Sequence, residues 1–542
     1  MNKVKNILFI MADQLRFDYL SCYGHPHLKT PHIDGLAKKG VLFESAYVQA
    51  PVCGPSRASY YTGRTVFSHG STWNQIPLPI GELTIGDYLR QSGIRTGVVG
   101  KTHMRPDIDG MNRLGISKDT EIGLTVSEPG FDPYERDDGL HPNNHIKNST
   151  KKLSYNDWLN KLGYEGDNPW DSWANSSEDE SGNILSGWRL RNSNKPARVK
   201  EEHSETAFMT NRSMEFIQES GEKPWFLHLS YIKPHWPYIA PAPYHNMYSS
   251  NQFYPVHRSN TEKEIDHPVY KAFMENNISK TFSREEVRNT VLSGYMGLIK
   301  QIDDNLGRLF NFLEEKNYMN NTMIVFTSDH GDYQGDHWLG EKELFHEQIV
   351  KVPMIIYDPS NLSDNNRGVR EKRFVEAIDL LPTFLDSVDS NVSKHRLEGQ
   401  SLLPIIRGNK VSNWKDSVFS EIDYSFNEAR KILNIGASDA RAYMIRNNNW
   451  KYIYYKGFPP QLFDLKNDPD EFNDLGQSPD HLKIIEEMKD ILLKRITNRK
   501  NRVAATDEFV LKERDYTKDD GIMIGVWSVS YTHLTLPTKR IV

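Results

Sequence analysis

Four short apolar, β-branched runs stop abruptly at polar residues: 7–12, 96–99, 225–231 and 322–327. Each is mainly apolar and β-branched rather than strictly alternating, the pattern of parallel strands buried on both faces. Between them the period becomes helical. Residues 33–39 carry one such pattern. A longer one follows Ser283-Arg284-Glu285-Glu286, spaced as a capping box, with Val287, Val291, Tyr295, Leu298, Ile302 and Leu309 along one face. Strands alternating with helices predict an α/β fold: an α/β/α sandwich around a mostly parallel sheet.

A chain of 542 residues exceeds one ordinary core, so a large and a small domain are expected. Residues 1–412 read as the catalytic domain. Within it, 105–199 is rich in Asn, Asp, Gly, Ser and Trp without a steady period, and reads as a long insertion rather than a core layer, fit for decoration, a lid or a subunit contact. From residue 413 the pattern shifts to short strands with turns at 442–446, 450–455 and 461–464, then a helix at 482–495. This predicts a small α+β domain over 413–500 with a short antiparallel sheet. Residues 501–529 read as a C-terminal arm, whose stretch 507–527 is suited to dock on a neighbour in a homo-oligomer. Residues 530–542, with Thr532-His533-Leu534-Thr535-Leu536-Pro537-Thr538, continue neither pattern and read as a non-native tail.

Charge narrows the functional classes. Lys+Arg 66 against Asp+Glu 72 gives a net −6 with no long basic run, which argues against a nucleic-acid partner, so any anion site must be local. The run 7–12 is too short to span a bilayer and stops at Asp13, so it reads as a strand rather than a signal peptide, and no membrane partner is expected. With only Cys22 and Cys53, a disulfide framework is excluded and a reducing, cytoplasmic setting is expected.

In open α/β sheets ligands bind beyond the carboxyl ends of the strands. The four runs deliver Asp13 and Gln14, Lys101 and His103, Lys233 and His235, and Asp329 and His330. Solvation of a strand end explains any one of these pairs. Four together point to a site in which carboxylates and an imidazole hold a divalent cation beside cationic groups suited to an anionic substrate.

In Cys53-Gly54-Pro55-Ser56-Arg57-Ala58-Ser59-Tyr60-Tyr61-Thr62-Gly63, Pro55 suits a first helical turn and Gly63 an end. Cys53 then sits at a helix N-terminus, where the dipole lowers a thiol pKa; a thiolate nucleophile and a small buried hydrophobe are both open readings. The Cys-x-Pro-Ser-Arg string resembles the formylglycine signature of type I sulfatases of the alkaline phosphatase superfamily. Residues 93–103, with Lys101 and His103, resemble the second signature, Ile94 standing where an aromatic is usual. Thr30-Pro31-His32-Ile33-Asp34, Lys233-Pro234-His235, the Tyr295 helix with Asp303, and Ser328-Asp329-His330-Gly331 followed by Lys342 are similar in order and spacing, over about residues 5 to 475. Residues 225–244 and 335–339 look closest to the phosphonate monoester hydrolase and choline-sulfatase branches, which are similar in using Asp-Gln, as at Asp13-Gln14, and Asp-His, as at Asp329-His330.

The resemblance implies an alkaline-phosphatase-like sandwich and a sulfuric ester hydrolase whose Cys53 is converted to formylglycine by a maturation enzyme. Asp13, Asp329, His330 and the oxygen at position 53, with Gln14, would hold one divalent metal. Calcium prefers an all-oxygen shell, whereas the imidazole tilts toward manganese or zinc. Arg57 and Lys101 would hold the formylglycine, His103 would act as base, and His235 and Lys342 would protonate the leaving group and bind sulfate. Asn74, Lys233 and Thr62 are candidate substrate or orienting contacts. His25, His27 and His32 read as solvated or capping, Asp332, Asp336 and His337 as supporting or interface residues, and Cys22 as a buried thiol. Two rivals stand. In phosphonate monoester or phosphodiester hydrolases the positions of Lys101 and His103 are similar to Tyr and Thr, so this chain favours a sulfate ester. A non-catalytic anion-binding relative would be expected to have lost Cys53, Arg57 or an aspartate. Without a secretion signal, a small imported ester fits better than an extracellular polysaccharide.

Overall fold

A computed structural model describes residues 3–139 and 153–513 of the chain. In chain order its strands are β1 (Asn6–Asp13), β2 (Val41–Tyr47), β3 (Arg95–Gly100), β4 (Asp132–Arg136), β5 (Ser176–Glu178), β6 (Ile184–Ser186), β7 (Trp225–Pro234), β8 (Thr322–Ser328), β9 (Lys351–Tyr357), β10 (Arg370–Glu371), β11 (Val375–Glu376), β12 (Val418–Asp423), β13 (Arg441–Arg446), β14 (Trp450–Tyr455) and β15 (Gln461–Asp464). The nine-stranded central sheet runs β10-β2-β9-β8-β1-β7-β3-β4, with β11 also on β2.

The four strands expected from the apolar runs are consecutive neighbours, β8-β1-β7-β3, and all are parallel. Their carboxyl ends therefore meet at one edge. β9 is antiparallel to both β2 and β8, which makes the sheet mostly rather than wholly parallel.

Burial on both faces explains the unbroken apolar runs. Ile7, Phe9 and Met11 pack with Tyr60, Tyr61, Leu381 and Phe384, whereas Leu8, Ile10 and Ala12 pack with Val291, Tyr295, Ile299 and Ile302. Each such side chain contributes about 1.5–3 kcal/mol when fully buried, so an alternating pattern would have cost one helical layer its core. The Glu205–Ser220 and Glu285–Glu315 helices cover one face; the Cys53–Thr62 and Leu380–Ser387 helices cover the other.

Three expectations need correction. The capping box at Ser283 does not form: Arg284 caps the long helix without a side-chain bond, and the Ser283 hydroxyl donates instead to the Ser279 carbonyl at 2.8 Å, closing the Asn277–Phe282 helix. Residues 105–199 are not merely an insertion, because β4 extends the central sheet parallel to β3. Their other described part packs Tyr155, Leu159 and Trp170 against Phe208 and Ile239. The C-terminal sheet, order β12-β13-β14-β15, is antiparallel as expected, but β12 was not foreseen. The Leu482–Thr497 helix covers one face through Ile485, Met488 and Leu492; the other face adds Ile422, Ala442, Met444 and Phe463 to the large core.

Of the expected arm, residues 501–513 end in the Asp507–Glu513 helix, and 514–529 lie outside the described residues, as do the 530–542 tail and residues 140–152. Among the described residues no helix is long and apolar enough to cross a membrane.

Candidate active site

The Cys53–Thr62 helix points its N-terminus at the shared carboxyl edge of the four strands. Val52 before it is extended, so Cys53 is the first helical residue, and Gly63 ends the helix at φ 64°, where a Cβ would be strained. Asn74 accepts from the Gly54 N–H at 2.8 Å, satisfying one orphan donor of the first turn, and the Ser56 hydroxyl donates to the Asp329 carbonyl at 2.6 Å. Cys53 is 0% exposed.

Around the sulfur, Asp13, Asp329 and His330 each offer a ligand atom, and with Cys53 these atoms all lie within 4.8 Å of one another. The His330 Nδ1–H donates to the Gly331 carbonyl at 2.8 Å, which leaves the Nε2 lone pair facing inward, 3.0 Å from the sulfur. That second-atom anchor is usual for metal-binding histidines. Asp329 Oδ1 accepts from the Gln14 and His330 N–H groups at 3.0 and 3.1 Å. Two buried carboxylates and an inward lone pair fit a divalent cation.

Cations balance the cluster. Arg57 Nε donates to Asp329 at 2.8 Å and its Nη2 to Asp13 at 3.3 Å, while Lys101 pairs with Asp13 at 2.5 Å. Burial and the nearby sulfur push the Asp13 carboxyl up, but the paired cations Lys101 and Arg57 outweigh them and hold it below the ordinary range. Burial likewise pushes the Cys53 thiol up, and Lys342, Lys101 and His330 reverse this, leaving it well below an ordinary thiol.

The structure brings most of the expected residues together. Lys342 donates to the Cys53 sulfur at 3.0 Å, to Gln14 Oε1 at 3.2 Å and to His235 Nε2 at 3.4 Å. His235 donates through Nδ1 to the Trp236 carbonyl at 2.8 Å; burial, with Lys101 beside it, lowers its pKa to about 3, so it is neutral. The His103 ring faces the same sulfur, its Nδ1 buried without a hydrogen-bond partner, and its backbone N–H donates to Asp138 at 3.0 Å. Arg57 and Lys101 lie beneath the carboxylates in ion pairs, rather than as free cations.

Other candidates fall outside. Lys233 donates to Asn175 and the Pro237 carbonyl, tying the long insertion to β7, and Thr62 bonds the Ala58 carbonyl one helical turn back. His25 accepts from the His27 and Leu28 N–H groups, the capping role foreseen; at His32 the backbone N–H is held by Asp303. Asp336 pairs with Arg16, and His337 with Glu262. Cys22 is only partly buried, its thiol pushed up by burial. Tyr238 and Gln334 went unforeseen: both bind Asp332, which supports Gln14. Nothing local separates such a tyrosine from a core aromatic, although Tyr238 follows His235 by three residues.

Comparison with known proteins agrees with this geometry. The Sulfatase family model matches residues 5–390, and N-sulphoglucosamine sulphohydrolase, C-terminal, matches 335–498. The chain is 30% identical to the multifunctional alkaline phosphatase superfamily protein PehA of Trinickia caryophylli, over 89% of this chain and 93% of that one. It is 29% identical to an arylsulfatase of Clostridium perfringens, over 91% and 95%. The phosphonate monoester hydrolase of Agrobacterium radiobacter superposes with a TM-score of 0.77 at 26% identity, covering 91% of this chain and 95% of that one. With a family match over most of its length and relatives aligned over about nine-tenths of it, the chain belongs to the type I sulfatase family of the alkaline phosphatase superfamily and is a sulfatase hydrolase.

Proposed function

We propose that the chain hydrolyses sulfate monoesters of a small cytoplasmic substrate through formylglycine made from Cys53 by a maturation enzyme. The observation that carries this reading is the placement of Cys53: first residue of a buried helix, within 3.0 Å of both Lys342 and His330.

The residues divide the work. Asp13, Asp329, His330 and Gln14, with the oxygen at position 53, would hold one divalent metal, calcium or manganese, or zinc. A bound metal would supply Lewis acidity to this site. One hydroxyl of the hydrated aldehyde attacks sulfur, forming an O–S bond as the bond from sulfur to the leaving alcohol oxygen breaks. Lys342 meets the sulfate charge. The same incoming charge raises His235 from its neutral state, so that it takes the proton the attacking hydroxyl loses and passes it to the leaving alcohol oxygen. His103 then removes the proton of the second hydroxyl, the C–O bond to sulfate breaks, and the aldehyde returns. Asn74 holds the first turn beneath the nucleophile and lies beside the substrate path.

Phosphonate monoester hydrolysis is the second reading, favoured by the likeness to a phosphonate monoester hydrolase structure. Lys101 and His103 weigh toward sulfate. The test is peptide mass spectrometry of Cys53 on protein co-expressed with a formylglycine-generating enzyme, with assays on an aryl sulfate and an aryl phosphonate ester. Aldehyde with dominant sulfate turnover supports the proposal. Dominant phosphonate turnover promotes the second reading, and an active, unmodified thiol overturns the mechanism.

A further inference from the structure

The Gln14 side chain is held at both ends of its amide. Its Nε2 donates to Asp332 Oδ2 at 2.5 Å and to the Tyr238 hydroxyl at 3.0 Å, and the Tyr238 hydroxyl itself donates to Asp332 at 2.7 Å. Its Oε1 accepts from Lys342 at 3.2 Å. The backbone is fixed as well, with φ 62°, the N–H bound to Asp329 at 3.0 Å and the carbonyl accepting from Tyr295 at 2.8 Å. Asp332 is 0% exposed and is itself saturated: Oδ1 accepts from the Gln334 N–H at 3.0 Å, and Oδ2 also accepts from Gln334 Nε2 at 2.7 Å.

Reversing the amide would set its oxygen against the carboxylate and its nitrogen against the Lys342 ammonium. Acceptor would face acceptor and donor would face donor in a buried site, where an unmet polar group is strongly disfavoured. The orientation therefore follows from the partners, without reference to which atom is nitrogen and which oxygen.

We propose that Asp332, with Tyr238, is a positioning residue for the metal centre: it clamps the Gln14 amide nitrogen so that only the amide oxygen is presented to the Asp13, Asp329, His330 and Cys53 cluster. This rests on the metal-centre reading above and goes beyond it, because the ligand quality of Gln14 is assigned to a residue that touches neither metal nor substrate. A neutral glutamine offers a soft choice between a ligand and a non-ligand end; Asp332 removes that choice. Asn at 332 cannot replace it, since either orientation of the new amide turns an N–H toward donors from Gln334, Tyr238 or Gln14.

The test is a double-mutant cycle on the full chain, stripped of metal and titrated with manganese(II) and with calcium(II), read by calorimetry rather than turnover. Asp332→Asn should weaken binding of the ion that the wild type takes by about 10- to 100-fold, the usual cost of losing a partner that orients a ligand. In a Gln14→Ala background the same substitution should change affinity less than about threefold, because nothing remains to orient. Tyr238→Phe, which leaves Asp332 in place, provides a milder variant if Asp332→Asn does not fold, with a several-fold loss that also vanishes in the Gln14→Ala background. Equal losses in both backgrounds, or none in the wild-type background, overturn the positioning role while leaving the metal centre standing. If the wild-type chain takes up neither ion, nor zinc(II) titrated in the same way, the metal reading fails and the clamp fails with it.

Discussion

The ammonium of Lys342 lies 3.0 Å from the sulfur of Cys53 across 289 residues of sequence. The same amine reaches Gln14 and His235, so one side chain joins the Cys53 sulfur, the Gln14 amide oxygen and the His235 imidazole. In a buried site of low dielectric, such a preoriented cation acts without waiting for solvent to reorganise.

Replacing it tests that role. Lys342→Ala should lower kcat/KM for an aryl sulfate by about 100- to 1,000-fold, the range seen when one preoriented donor is removed from a charge-stabilising site. Lys342→Arg should recover only part of the loss, since a planar guanidinium does not match a point ammonium sharing three acceptors. Steady-state kinetics on protein whose position 53 has been verified by mass spectrometry decide it; unchanged turnover would remove Lys342 from the mechanism.

Metal removal should abolish activity without unfolding the chain. Lys101 and Arg57 already pair with both buried aspartates, so chelation leaves no uncompensated carboxylate. Far-ultraviolet circular dichroism should be unchanged after chelation, and restoring metal to a hundredfold excess over its Kd should return about 2.7 kcal/mol of stability. Collapse of the secondary structure on chelation would contradict this.

The small sheet is tied to the catalytic core by Lys451, 0% exposed, which donates to the Phe345 carbonyl at 2.8 Å and pairs with Glu347 at 2.9 Å and Glu471 at 2.6 Å. Lys451→Met should cost about 3–5 kcal/mol, because it strands the buried carboxylate of Glu471. Burial raises the Glu347 pKa, but Lys451 and Arg446 pull it well below its ordinary value. In the wild type, that depressed pKa contributes stability above the unfolded value, lost as pH falls through the folded one. In the variant Glu471, which burial already raises, loses the cation that pulls it down, while Glu347 keeps Arg446, so stability is lost as pH rises. The gap in denaturant midpoint should therefore be wide near about pH 8 and narrower near about pH 5.

Phe426 is 54% exposed and stacked on Trp73, ring centroids 5.9 Å apart and 9° from parallel. Its loop is pinned beside the site on two sides: Thr72, two residues before Asn74, bonds Asp423 at 2.9 Å, and Asn427 bonds Glu343, next to Lys342. Phe426→Ala should raise KM for an aryl sulfate roughly 2- to 12-fold, the value of about 0.5–1.5 kcal/mol of aromatic contact, and leave KM for a short alkyl sulfate unchanged. Equal effects on both esters would place Phe426 away from the leaving group.

Much of the site is legible one segment at a time. Unbroken apolar runs identify the strands buried on both faces, and the polar residues that end them identify the edge where Asp13, His103, His235 and His330 meet. Cys53 at a helix start follows from Pro55 and Gly63. Less legible are elements whose identity depends on partners. β4 lies in a polar stretch without a steady period and is held by pairing with β3, and Ser283 looks like a cap until the preceding helix claims its hydroxyl.

The sequence by itself determined the α/β class, the four central strands and the residue types at their ends, because burial on two faces and helix termini leave local signatures in polarity, proline and glycine. Only the tertiary structure decided that Arg57 and Lys101 are spent on Asp13 and Asp329, that His235 is neutral, that Asp332 turns the Gln14 amide, and that the small sheet shares the large core. Charge state, hydrogen-bond orientation and reversed strand direction are properties of pairs brought together across hundreds of residues, and no single segment carries them.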